Sequence, residues 1–202
     1  MLAVIDILGS LIVVLAIAIF AAADPALYRR GLLMLLPVGR RRRVDETLSD
    51  LGHALRWWFL AQVVSMLVIG ITTAVGLKII GVDLWLSLGV LAGLLTFIPF
   101  LGPLIAGVPI LIVAFAQGIE IGLSVLVFFF IVENLEGNFL SPLIQQRVVD
   151  IAPVVLISMQ VLMSALFGAM GLVLAAPVTL VAMIVIRKLY VEDVLGEPPS
   201  PR

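Results

Sequence analysis

The sequence predicts an all-α, polytopic helical membrane protein with two Gly/Pro-broken helix hairpins in a weak inverted repeat. Three observations predict it. Of 202 residues, 63% are hydrophobic and 12% are charged, against roughly 45–50% apolar and about 25% charged in soluble domains. A chain of this size cannot hide that much apolar surface from water. The charges are segregated, so that 57–77, 84–119 and 151–186 carry none. The two longer windows each break near the middle at glycine.

The first element is a shorter apolar stretch, 7–23, read as an N-terminal transmembrane helix within 1–23. It has Asp6 but no basic flank, which makes it a poor signal peptide. A basic, amphipathic segment follows over 24–56. Asp24 and Pro25 read as the N-cap and first turn of a short helix, which Pro37 ends. Seven of the twelve Lys and Arg residues fall in 29–56, including the run Arg40, Arg41, Arg42, Arg43. By the positive-inside rule this segment is cytoplasmic, and the run suits anionic headgroups. Val44, Leu48, Leu51, Leu55 and Trp58 then form one helical stripe, with Asp45, Glu46, Asp50 and Arg56 off it. That pattern predicts an amphipathic helix leading into the membrane. His53 is the single histidine, and one histidine without partners makes no catalytic or metal site.

Window 57–77 fits one crossing, which needs about 20 apolar residues. The windows 84–119 and 151–186 fit neither one crossing nor two comfortable ones. Split by a turn, each gives pieces of about 25 Å, short of a hydrocarbon core of about 30 Å. Two readings stay open for each: short tilted spans, or a re-entrant hairpin. Val82-Asp83 precedes the first window and Val149-Asp150 the second. The first breaks at Pro99, Gly102 and Pro103, the second at Gly168 and Gly171, and each then reaches a proline, Pro109 or Pro177. An apolar span precedes each, 57–77 and Ile119–Leu135. One crossing plus one hairpin per unit would invert the second unit relative to the first. The transport domain is thus 57–190, with units of about 57–118 and 119–190. Paired interruptions of this kind point to a solute site, since broken backbone at membrane depth is tolerated only against protein or a water-filled cavity. Arg187 and Lys188 close the last window on the cytoplasmic side, and 191–202 reads as a disordered cytoplasmic tail.

Between the windows lies a polar cluster. Glu133 and Glu136 are three apart and share a helix face, with Asn134 and Asn138 alongside. Acids at the end of an apolar helix are functional candidates, because desolvation disfavours a charged carboxylate and suits a proton-coupled site. The bland alternative is a solvated interfacial loop. Gln62, alone in its span, reads first as a bond across helices and second as a path residue. Glu136 carries the coupling role unless a salt bridge to Arg147 makes it structural.

The order and spacing of GLKIIGVDLWLSLGVLAGLLTFIPFLGPLIAGVP (76–109), LEGNFLSP (135–142), VVDIAP (148–153) and LFGAMGLVLAAP (166–177) resemble the autoinducer-2 exporter family, or PerM-like permeases. Members usually have glycine where this chain has Ala61, and carry two further N-terminal spans. The resemblance therefore covers their C-terminal portion, and a truncated form is an open reading. It implies a permease in the cell membrane that exports a small polar signal molecule or exchanges sodium for protons. It also implies a homo-oligomer, a pentameric ring being one form. Glu136 and Asn138 match the family's acid and amide after the middle span. Pro99, Gly102, Pro103 and Pro109 match its first break, and Gly168, Gly171 and Pro177 its second.

Other classes fit less well. A net charge of −1 with local basic residues offers no nucleic-acid face. The absence of cysteine removes thiolate metal sites. No HExxH helix or GxSxG elbow is present, so the reading is not an enzyme, with no cofactor. The alternative function is a non-transporting membrane scaffold or a truncated remnant of such a permease.

Orientation is testable on this cysteine-free background. A cysteine placed at Gly81 is expected to react with an impermeant maleimide from outside, and one at Arg41 from the cytoplasm. Labelling of Gly81 from the cytoplasm alone reverses the topology.

Overall fold

The computed structural model describes residues 25–35, 37–140 and 152–192. The apolar stretch 7–23, the pair Val149-Asp150, Arg147 and the tail beyond Glu192 lie outside them. Among the described residues every regular element is a helix. Contacts cluster into two units, 1–50 and 51–202.

In the first unit, α1 (Pro25–Met34) is followed by Pro37 and the start of α2 (Val38–Ile80). Pro37 lacks an N–H and cannot continue α1. Arg29 ties α1 to α2, with Nε donating to Asp45 Oδ1 and Nη2 to the Asp45 carbonyl. Arg41 Nη2 reaches back to the Met34 carbonyl.

At 43 residues, α2 is about 64 Å long, twice what a bilayer core requires. Its stripe of Val44, Leu48, Leu51, Leu55 and Trp58 is half-buried, while Glu46 and Arg56 are exposed. The helix ends at Gly81, whose φ of +97° needs a residue without a Cβ.

The second unit continues with α3 (Trp85–Leu95), α4 (Leu101–Gln117) and α5 (Ile119–Leu135), the last running on into a wider π turn over Glu136–Leu140. Helix α6 (Pro153–Val185) follows and continues through a second π segment to Glu192. The predicted apolar span Ile119–Leu135 is α5 itself. Leu77 and Val82, Leu88 and Ala92, Ala106, Ile110 and Ala114, and Val125 form the buried core, so the end of α2 packs with α3, α4 and α5.

Small residues let the backbones approach. Gly89 and Gly93, one turn apart on α3, lie against Ala74 and Gly70 of α2. A Cβ on Gly93 would stand 2.7 Å from the Met66 carbonyl oxygen. This small-xxx-small contact is what association in lipid uses where water supplies no drive. Gly76 and Gly107 instead receive the rings of Phe128 and Phe129 from α5.

Both predicted breaks are present. The first separates α3 from α4 over 96–100. At 11 residues, α3 is about 16 Å long, too short to cross a core of about 30 Å. The second lies within α6 at Gly168, with φ 63° and ψ −144°. Each break makes a close contact of the same kind: a Cβ on Gly102 would overlap the Leu95 carbonyl oxygen, and a Cβ on Gly171 the Met163 carbonyl oxygen.

The long apolar helices are not the core of a soluble fold. Only 28% of the most apolar window of α2 and 33% of that of α6 are buried, whereas a soluble core helix is mostly enclosed. Leu67, Ile71, Ile79, Leu104, Ile112, Phe130, Val161 and Phe167 stand exposed, an apolar exterior matched to lipid.

Two glycine substitutions separate packing from propensity. Gly102→Ala is expected to destabilise by about 3 kcal/mol or more, because the clash is with backbone. Gly52→Ala, with nothing within 4 Å of the new methyl, should instead stabilise by about 0.5–1 kcal/mol. Thermal unfolding in detergent reads both, and a silent Gly102→Ala refutes the close approach.

Candidate functional site

The first break is built around a strained residue. Phe100 has φ 64° and ψ −50° and is the only described non-glycine residue with positive φ. The Leu101 N–H donates to the Pro99 carbonyl at 2.8 Å, which closes a γ-turn centred on Phe100. That form of the turn is rare and strained, costing about 1–3 kcal/mol, and persists only where surroundings enforce it.

Two buried glutamines supply the enforcement. Gln62 of α2 donates from Nε2 to the Thr96 carbonyl at 2.6 Å. Gln160 of α6 donates from Nε2 to the Pro99 carbonyl at 2.7 Å. Both side chains are buried, at 8% and 0% exposure. The Trp58 ring packs edge-on against Phe97, with centroids 5.7 Å apart. Carbonyls freed by the break are thus bonded by protein, as a low-dielectric setting demands. Gln160 retains a buried Oε1 that no group among the described residues bonds.

Beside the turn opens a cleft of about 640 Å³ between the start of α4 and the end of α5. Phe100, Pro103, Leu104, Leu126, Phe129 and Phe130 form its apolar walls. Glu133, Asn134, Gly137 and Asn138 form its polar end. Asn134 Nδ2 donates to the Phe130 carbonyl and Asn138 Nδ2 to the Asn134 carbonyl. Each amide therefore spends an N–H on its own helix and keeps its carbonyl oxygen to accept.

The structure brings Glu133, Asn134 and Asn138 together with Pro103 at this cleft. Glu136, half-buried at the first position of the π turn, is not among the lining residues. Gln62 lies away from the cleft and holds the turn. Pro99 and Gly102 belong to the turn and its close contact, Gly168 and Gly171 to the second break, and Pro109 and Pro177 lie inside α4 and α6. Among the described residues no group of His, Cys, Asp and Glu could hold a metal. Sequence reasoning missed Gln160 and Phe100. Gln160 carried the same signal as Gln62, a lone carboxamide in an apolar window; Phe100 carried none.

Helical architecture, apolar exterior and a polar cleft beside a broken helix define a helical membrane protein. The AI-2E family transporter model matches residues 1–190, and the chain belongs to that family. It is 30% identical over 162 residues to YrrI, a candidate transport protein of Bacillus subtilis, covering 80% of this chain and 46% of that one. It is 29% identical over 144 residues to YueF of the same organism, another candidate transport protein, covering 71% and 39%. The chain thus spans less than half the length of these relatives. No solved structure matches it.

The two glutamines should differ in their effect. Gln62→Leu leaves the buried Thr96 carbonyl without its partner and is expected to cost about 1–3 kcal/mol. Gln160→Leu costs less, because Pro99 O keeps the Leu101 N–H and the unbonded Oε1 disappears with the side chain. Thermal unfolding of both variants checks the order, and equal losses would contradict it.

Proposed function

We propose that the chain is the hairpin-bearing part of a permease of the autoinducer-2 exporter type. It moves a small polar signal molecule, or exchanges sodium for protons, along a path through the cleft. The observation that carries this reading is a strained, protein-bonded helix break opening beside an acid and two amides. Broken backbone at depth and half-helix ends are how secondary transporters hold solutes. The chain sits in the cell membrane as a multi-pass protein, with 24–56 and the C-terminus cytoplasmic. It works as a homo-oligomer, for which a pentameric ring is the form the family resemblance favours.

Glu136 carries the coupling proton in this reading, assisted by Asn138 and Glu133. It follows an apolar helix directly, three residues after Glu133. The competing reading is a non-transporting membrane scaffold.

Proteoliposomes loaded with a pH-sensitive dye test both. Wild-type protein is expected to change internal pH when a sodium gradient is imposed, or to release preloaded autoinducer-2 faster under a pH gradient. Glu136→Gln should assemble normally and lose the pH dependence. Absence of both fluxes in wild type favours the scaffold. A large stability loss in Glu136→Gln, reproduced by Arg147→Gln, would make Glu136 structural.

A further inference from the structure

We infer that the cleft between the start of α4 and the end of α5 binds a primary organic ammonium carrying an aromatic or aliphatic body. The inference rests on the reading that this cleft is the solute's path, takes the organic-solute branch of that reading rather than sodium exchange, and commits to the chemistry of the occupant.

Three features of the lining select that class. The first is charge. Glu133 is the one ionisable side chain among the described lining residues, and no Lys, Arg or His joins it. Among the described lining residues an anion would meet a carboxylate with nothing to offset it, whereas an ammonium finds its counter-charge. The second is hydrogen bonding. Asn134 and Asn138 line the same cleft as Glu133, each amide having already turned an N–H onto its own helix and kept its oxygen to accept. An ammonium has three N–H donors and no acceptor, so it matches one carboxylate and two carbonyl oxygens. The third is the wall. Phe100, Phe129 and Phe130 line the same cleft, and ring faces attract cations as well as apolar bodies.

A bare metal ion uses little of this arrangement. Hard cations take six to eight oxygen ligands in compact shells, and most of this cleft is hydrocarbon. A volume of about 640 Å³ lies within the range of small-molecule sites, about 300–1,000 Å³. The size, the aromatic walls and the single acidic end together describe a molecule with an apolar body and a cationic head.

Three isosteric probes test the assignment: benzylammonium, benzyl alcohol and benzoate share one ring and differ in charge. Radiolabelled benzylammonium is equilibrated with the full chain in nanodiscs, and binding to empty nanodiscs is subtracted. Unlabelled benzylammonium is expected to displace it at least ten-fold more effectively than benzyl alcohol, with benzoate inert. Glu133→Gln should reduce binding at least ten-fold. Phe130→Ala removes an exposed ring and should weaken it about three-fold or more while thermal stability is retained. If Glu133→Gln fails to fold, Glu133→Asp keeps the charge at a shorter reach and is expected to bind more weakly with the same preference for the cation. Equal displacement by benzyl alcohol, or by sodium chloride at the same concentration, overturns the inference, as does wild-type binding in Glu133→Gln. Binding without uptake into proteoliposomes would leave the site standing and count against the transport reading. Sodium-driven or autoinducer-2 flux without benzylammonium binding would do the reverse.

Discussion

The Pro99 carbonyl is the point on which the first hairpin depends. It accepts the Leu101 N–H, which closes the turn, and the Gln160 Nε2, which anchors the turn to α6. Phe100 between them sits in a conformation that non-glycine residues avoid. Such a turn survives where its surroundings outweigh its strain. Here they do so through two carboxamides from helices far apart in sequence, Gln62 and Gln160. In a soluble protein water could bond the loosened carbonyls. In lipid it cannot, so the short helices, the buried glutamines and the break form one solution to one constraint.

Close packing follows from the same constraint. A hairpin arm of about 16 Å cannot be held by spanning the bilayer, so α3 must be held by its neighbours. Gly89 and Gly93 bring its backbone onto Gly70 and Ala74 of α2, and Gly102 brings the second arm onto the Leu95 carbonyl. The aromatic side chains of α5 fill the hollows that glycine leaves, Phe128 over Gly76 and Phe129 over Gly107. Phe129 also lines the cleft, so the helix that seals the packing is the one that carries the acid and the amides to the site.

Much of this was legible in the sequence, and the reasons are particular. The composition and charge-free windows announced lipid, because nothing else tolerates them. The breaks at Pro99–Gly102 and at Gly168 were visible because proline and glycine interrupt helices by mechanisms that need no tertiary context. Glu133, Asn134 and Asn138 were visible because polar groups are rare at the end of an apolar helix. Gln62 was read first as a bond across helices, and that is the contact it makes. What was hidden depends on contacts between distant segments. The strain at Phe100 is imposed by partners about forty and sixty residues away, and phenylalanine announces no turn. The cleft likewise exists only once the start of α4 faces the end of α5. Glu136 and Glu133 looked equivalent by spacing, yet the cleft takes one stripe of the helix, with Phe130, Glu133, Asn134, Gly137 and Asn138 at i, i+3, i+4, i+7 and i+8, and Glu136 falls off that stripe.

The two breaks resemble each other in sequence more than in mechanism. Each places a glycine, 102 or 171, against a carbonyl from the preceding arm, Leu95 or Met163. At the second, the unusual backbone conformation falls on Gly168, in a region that glycine occupies without a Cβ clash. The geometry there is inexpensive and needs no outside clamp. At the first, the unusual conformation falls on Phe100 while Gly102 is spent on close packing. The strain is therefore retained, and two glutamines hold it. A turn held by side chains from other helices responds when those helices shift, whereas a turn held by its own glycine does not. The aromatic residue that bears the strain also lines the cleft, so a change in the clamp reaches the wall of the site directly. Of the two breaks, the first is the one whose geometry can be coupled to what occupies the cleft.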